Sequence, residues 1–160
     1  MSADAVFLAA AGQGHDWIAA RVPHQGRMCL LDTVEQVTAS DVVCTATSHT
    51  APDNPMREAG RLGAACGIEY AAQAMALHGA LVAEARGVPP PTMGFLVSVR
   101  AVALHVTRLD DVGERLTVQV HSDADNGDHS IYTFALSAEG RPLIDGRAIV
   151  MLDAAPLVSP

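Results

Sequence analysis

The chain contains no lysine: all ten basic residues are arginine, against 18 Asp and Glu, for a formal net charge of -8. Nucleic-acid binding needs a basic footprint, so this balance argues against it. Any acidic partner must be met by arginine, and Arg57, Arg61, Arg100, Arg108 and Arg115 are the candidates away from the ends. Cysteine is scarce: Cys29, Cys44 and Cys66, an odd number with no Cys-x-x-C pair. A disulfide framework and a structural zinc site are therefore disfavoured, and three reduced, mostly buried thiols are expected. Apolar runs are never long enough for a membrane span, because Arg, Glu, His and Pro interrupt the Ala-rich stretch. No basic region precedes an apolar one at the start, so a secretory signal is not expected and the cytoplasm is the expected compartment. A Gly-rich phosphate loop, a Gly-x-Ser-x-Gly elbow and a His-x-x-x-His pair are also missing. Neither a nucleotide cofactor, nor a serine nucleophile, nor a metal is expected.

What is present is apolar: 49% of 160 residues, enough to build a core and read most simply as one domain over 1–160. Asp16 to Val22 reads as a short helix or turn, stopped by Pro23. Met28–Val37 and Val42–Thr47 read as a hairpin around Ser40-Asp41, followed by a loop from His49 to Gly60 that holds Pro52 and Pro55. Leu62 to Ala85 is alanine-rich and free of proline, which predicts one long helix ended by Gly87 and the prolines at 89–91. Beyond it come Gly94–Val106, long enough for one bent strand or two, and then Leu116–His121, Ser130–Leu136 and Pro142–Leu152, strands separated by turns such as Asn126-Gly127. A hairpin, a long helix and then an antiparallel meander make an α+β domain with one helix packed on a sheet.

One residue breaks the smoothness of the helix. Glu69 sits in a run of small and apolar side chains, where an ionised carboxylate is costly unless paired. Gln73 follows one turn later on the same face, and Cys66 precedes it by three residues. A carboxyl kept protonated by apolar surroundings can serve as a general acid, with a histidine as the obvious base. Tyr70 falls on another face and reads as packing.

The wording of these segments carries a resemblance. Pro23-His-Gln-Gly-Arg-Met-Cys-Leu-Leu-Asp-Thr-Val34 resembles the opening segment of bacterial 3-hydroxyacyl-acyl-carrier-protein dehydratases. Gly67-Ile-Glu-Tyr-Ala-Ala-Gln-Ala-Met-Ala76 resembles their central helix, Gly94-Phe-Leu-Val-Ser-Val99 the strand after it, and Arg108 to Leu116 the turn beyond. With Asn54-Pro55 and Gly60-Arg-Leu62, the wording looks most like the dehydratases of aryl-polyene gene clusters, over roughly residues 18 to 152. One segment departs from the housekeeping pattern: His49-Thr-Ala-Pro-Asp-Asn-Pro55 stands where that family has His-Phe-Pro-Gly-x-Pro.

The resemblance implies a hot-dog fold, an antiparallel curved sheet wrapped around one long central helix. It implies dehydration of a 3-hydroxyacyl thioester on an acyl carrier protein to a trans-2-enoyl or polyenoyl product. His49 is then the expected base, with His24 as its rival; Glu69 is the acid, and Gln73 holds Glu69. Gly63, Cys66, Gly67 and Phe95 are the expected substrate contacts. Backbone N–H groups between residues 60 and 67 are the expected donors to the thioester oxygen. A homodimer, or a heteromer with another hot-dog dehydratase, is expected to close the site, with histidine from one chain and carboxylate from the other. The other readings are a hot-dog thioesterase and a non-catalytic subunit that completes a partner's site.

Overall fold

The computed structural model describes residues 2–90 and 94–152. Period-two patterning forms the sheet. In β4 (Leu116–Asp125), Leu116, Val118 and Val120 point inward; in β5 (His129–Ala138), Tyr132, Phe134 and Leu136 do the same. Asn126 and Gly127 turn the chain between them, with Gly127 at φ 88 and the Asn126 amide donating to the His129 carbonyl at 2.9 Å. β1 (Thr33–Val37) and β2 (Asp41–Ala46) form the early hairpin, and β3 (Gly94–Leu104) and β6 (Arg141–Leu152) complete the sheet. All pairings are antiparallel, in the order β1-β2-β4-β5-β6-β3.

The long helix α3 (Gly67–Ala85) lies on the inner face of this curved sheet and buries Tyr70, Ala71, Ala74, Leu77 and Leu81 against it. This is the hot-dog arrangement. Gly67 makes the close approach possible: a Cβ there would lie 2.9 Å from Ile144 Cγ2 and 3.2 Å from Leu136 Cδ2. His78 ties the helix down further along. Its Nε2–H donates to the Ala39 carbonyl at 2.9 Å, so its Nδ1 accepts from the Tyr132 hydroxyl at 2.8 Å. Two short helices, α1 (Ala3–Ala10) and α2 (His15–Ala19), add Val6, Phe7, Ala10 and Ile18 to the core.

Two boundaries differ from the sequence expectation. The helix starts at Gly67 rather than near Leu62, because Leu62 to Ala64 pair with the Thr107–Leu109 backbone instead. The first strand begins at Thr33 rather than Met28, because residues 26–28 form a 3-10 turn with Gly26 at φ 59.

β3 is one edge of the sheet. It is interrupted by two register shifts, and Ala101 in the second has φ 53. Leu96, Val97, Val102 and Leu104 are exposed along it.

Candidate active site

The segment from Pro23 to Asp32 is neither helix nor strand apart from its 3-10 turn, so its backbone polar groups need partners from elsewhere. They have them. Gln73, fully buried on α3, donates from Nε2 to the Met28 carbonyl at 2.6 Å and accepts at Oε1 from the Leu30 amide at 2.8 Å. Ser48 donates to the Leu30 carbonyl at 2.8 Å, and His15 donates to the Cys29 carbonyl at 3.1 Å. The Asp32 amide donates to the Thr45 carbonyl at 2.8 Å, and the Asp32 carboxylate accepts from the Thr47 amide at 2.8 Å. The segment is held over Met28–Asp32, its C-terminal half, close to the first turns of α3.

This placement brings His24 onto Glu69. His24 Nε2 lies 2.8 Å from Glu69 Oε1, with the side chains 28% and 34% exposed. The pair is reachable from solvent and both members come from one chain. Glu69 is half-buried rather than sealed in the core, so apolar seclusion does not describe it; a histidine beside it does. His24 Nδ1 is buried and has no partner among the described residues.

His49 is placed differently. It is fully buried, and its Nε2–H donates to the Gly113 carbonyl at 2.7 Å. Burial pushes its pKa down, and its Nδ1 has no partner among the described residues. Glu69 has no ion pair with His49; among the described residues its ion-pair partner is His24. Both polar atoms of Gln73 are taken by the Met28 and Leu30 backbone, so Gln73 grips the histidine-bearing segment and not Glu69.

The other expected contacts divide as follows. Cys66 is half-buried at the N-cap of α3, where burial pushes its thiol pKa up. Gly67 approaches the sheet, as above, and Gly63 bridges Arg108 across an isolated pair. The N–H groups of Leu62, Ala64, Cys66 and Gly67 all donate within the chain, so none of these four is open to a substrate oxygen. Phe95 lies on β3 opposite Met151, and its side chain is outside the described residues. Tyr70 is buried, as its face predicted, yet it is not apolar packing alone. Its hydroxyl meets Ser48 Oγ at 2.8 Å and accepts from Asn54 Nδ2 at 3.3 Å, and burial pushes its pKa up to about 12.

Arg57 and Arg108 both reach Asp110, whose carboxyl the Arg108 guanidinium holds well below the usual carboxylate range. Arg61, Arg100 and Arg115 are exposed. No group of three or more His, Cys, Asp and Glu that could hold a metal occurs among the described residues. An open depression lined by Thr50, Asp111, Gly113, Glu114, Arg115 and Glu139, among others, includes neither His24 nor Glu69.

The sequence signal for His24 is slight. Pro23-His24 ahead of a mostly apolar segment reads as backbone bracing, and only the fold reveals that the brace sets the imidazole over Glu69.

The family model ApeP-like, described as ApeP dehydratase, matches residues 17–156. A search of curated proteins finds no match. Among solved structures, the dehydratase heterocomplex ApeI:P from Xenorhabdus doucetiae is similar with a TM-score of 0.79 at 23% identity, over 92% of this chain and 99% of that one. The E. coli PaaI protein of the phenylacetic acid degradation operon gives a TM-score of 0.56 at 11% identity, over 86% and 88%. A thioesterase family protein from Silicibacter pomeroyi gives 0.55 at 14% identity, over 74% and 82%. At these identities the structural likenesses establish the hot-dog fold.

Proposed function

The chain belongs to the ApeP-like dehydratase family, and from that premise we propose that it removes water from 3-hydroxyacyl thioesters carried by an acyl carrier protein, in fatty-acid-like or aryl-polyene biosynthesis. The observation that supports the reading best is the 2.8 Å contact between His24 and Glu69. Elimination needs a base for the α-proton and an acid for the departing hydroxyl. Of the histidines expected as base, His24 meets the carboxylate on a solvent-reachable surface and His49 is sealed away.

In the proposed reaction, the substrate enters between the pair, and His24 Nε2, freed from Glu69, takes the α-proton as the carbon–carbon double bond forms. Glu69 gives its proton to the 3-hydroxyl, and the carbon–oxygen bond breaks with water leaving. His24 then holds one proton more and Glu69 one fewer. When the product leaves, the two side chains meet again at their 2.8 Å contact and the proton returns from imidazolium to carboxylate, which restores the starting pair.

Carrier proteins are acidic, and docking here falls to the exposed arginines Arg61, Arg100 and Arg115 through local potential rather than net charge. The open edge at β3, with its exposed apolar side chains, supports assembly with a second hot-dog chain. That the similar ApeI:P structure is a heterocomplex supports a mixed assembly as well as a homodimer.

The test is intact-mass analysis of a 3-hydroxyacyl carrier protein incubated with the purified chain. Loss of one water, abolished in Glu69→Gln and in His24→Ala, is the expected result. Release of the acyl group would make the protein a thioesterase. Water loss only after a second hot-dog chain is added would make it a completing subunit.

A further inference from the structure

We infer that Gln73 is a positioning residue for His24, setting the reach of the base over Glu69 by gripping the backbone of the segment that carries it. The inference rests on the reading of His24 and Glu69 as the reacting pair. Gln73 and Glu69 are one helical turn apart on α3, so they project from the same side of one rigid element. Glu69 carries the carboxylate directly. Gln73 reaches the histidine segment by two hydrogen bonds, Nε2 to the Met28 carbonyl at 2.6 Å and Oε1 from the Leu30 amide at 2.8 Å. A side-chain amide offers a donor and an acceptor side by side, as the backbone of a neighbouring strand does. Gln73 thereby replaces a strand partner at the point where the chain has left the sheet. Both ends of the His24–Glu69 contact are thus referred to one turn of one helix.

Ser48 completes the grip from the other side, donating to the Leu30 carbonyl at 2.8 Å while its oxygen meets the buried Tyr70 hydroxyl. With its N–H on Gln73 and its carbonyl on Ser48, Leu30 has no freedom to slide along α3. Gly26, at φ 59 and with open space around it, lies between this anchor and His24 and lets the chain turn back toward the helix. Misplacement of a reacting group by about 1 Å is enough to cost roughly 100-fold in rate.

The test compares Gln73→Met, which keeps a long unbranched side chain but removes both hydrogen bonds, with Ser48→Ala and with the control His78→Gln. His78 clamps α3 to a different part of the fold, so its variant loses stability without touching this segment. At equal folded fraction, Gln73→Met should lower kcat by about 10- to 100-fold with KM little changed, Ser48→Ala should follow in the same direction with a smaller loss, and His78→Gln should leave kcat unmoved. A readout independent of turnover is the His24 ring signal in heteronuclear NMR. In Gln73→Met it should move toward its position in Glu69→Ala, where the contact is absent. An unmoved His24 signal with wild-type kcat in both Gln73→Met and Ser48→Ala would overturn the inference, leaving Gln73 a structural residue. Full activity in Glu69→Gln would instead overturn the underlying reading of the pair, whatever Gln73 does. Should Gln73→Met not fold, Ser48→Ala alone carries the same two readouts.

Discussion

At the residue scale, the exposed His24–Glu69 pair and the buried His49 should respond oppositely to substitution. Glu69 and His24 are each about a third exposed and make few other demands on the fold. Glu69→Gln and His24→Ala should therefore lose about 100- to 10,000-fold in rate, with stability within about 0.5 kcal/mol of wild type by thermal unfolding. His49 should behave in the opposite way. Removing it strands the Gly113 carbonyl, so His49→Ala should lose about 1–3 kcal/mol while the folded fraction keeps its kcat.

The buried histidines also set a pH dependence. His49 and His78 both have pKa values lowered from 6.5 by burial. The unfolded chain takes up their protons first as pH falls, so stability is complete above about 6.5 and declines as pH drops toward the folded values. The melting temperature should fall between about pH 7 and pH 5, and His78→Gln should flatten part of that slope. A melting temperature rising over that interval would contradict the burial of both rings.

At the scale of elements, glycine has two meanings in α3. Gly67 lies under the sheet, where an added methyl would meet Ile144 and Leu136, and Gly67→Ala should cost about 1–3 kcal/mol by overpacking. Gly79 has nothing within 4 Å of an added Cβ, and Gly79→Ala should stabilise by about 0.5–1 kcal/mol through helix propensity. Denaturant melts of the two variants read both signs. Destabilisation by Gly79→Ala would mean that another chain packs on that face.

The elements themselves were largely legible. Alternation in 116–120 and 130–136 placed β4 and β5, and Asn126-Gly127 placed their turn, because those signals are local. The helix start was not, since Leu62 to Ala64 find backbone partners in residues distant in sequence. Met28 to Asp32 has the composition of a strand but not its pairing, because Gln73 and Ser48 satisfy the backbone that a strand neighbour would. The site followed the same division. Glu69 stood out because its charge clashes with its local surroundings. His24 did not, because its place beside Glu69 depends on a contact between a loop and a helix that no local spacing encodes.

At the scale of the whole molecule, the sheet ends in an apolar edge. Val97 is 55% exposed on β3 beside Leu96 and Leu104, and an unpaired edge of this kind invites a second chain. The protein should sediment as a dimer or a mixed assembly, and Val97→Asp should shift it toward monomer. A monomeric wild type would remove the edge from the account.

The most direct test of the central claim is single-turnover dehydration of a 3-hydroxyacyl carrier protein by the wild type, His24→Ala and His49→Ala, each corrected for its folded fraction. The expected result is that water loss disappears with His24 and persists with His49. Persistence in His24→Ala with loss in His49→Ala would contradict it and move the base to the buried ring.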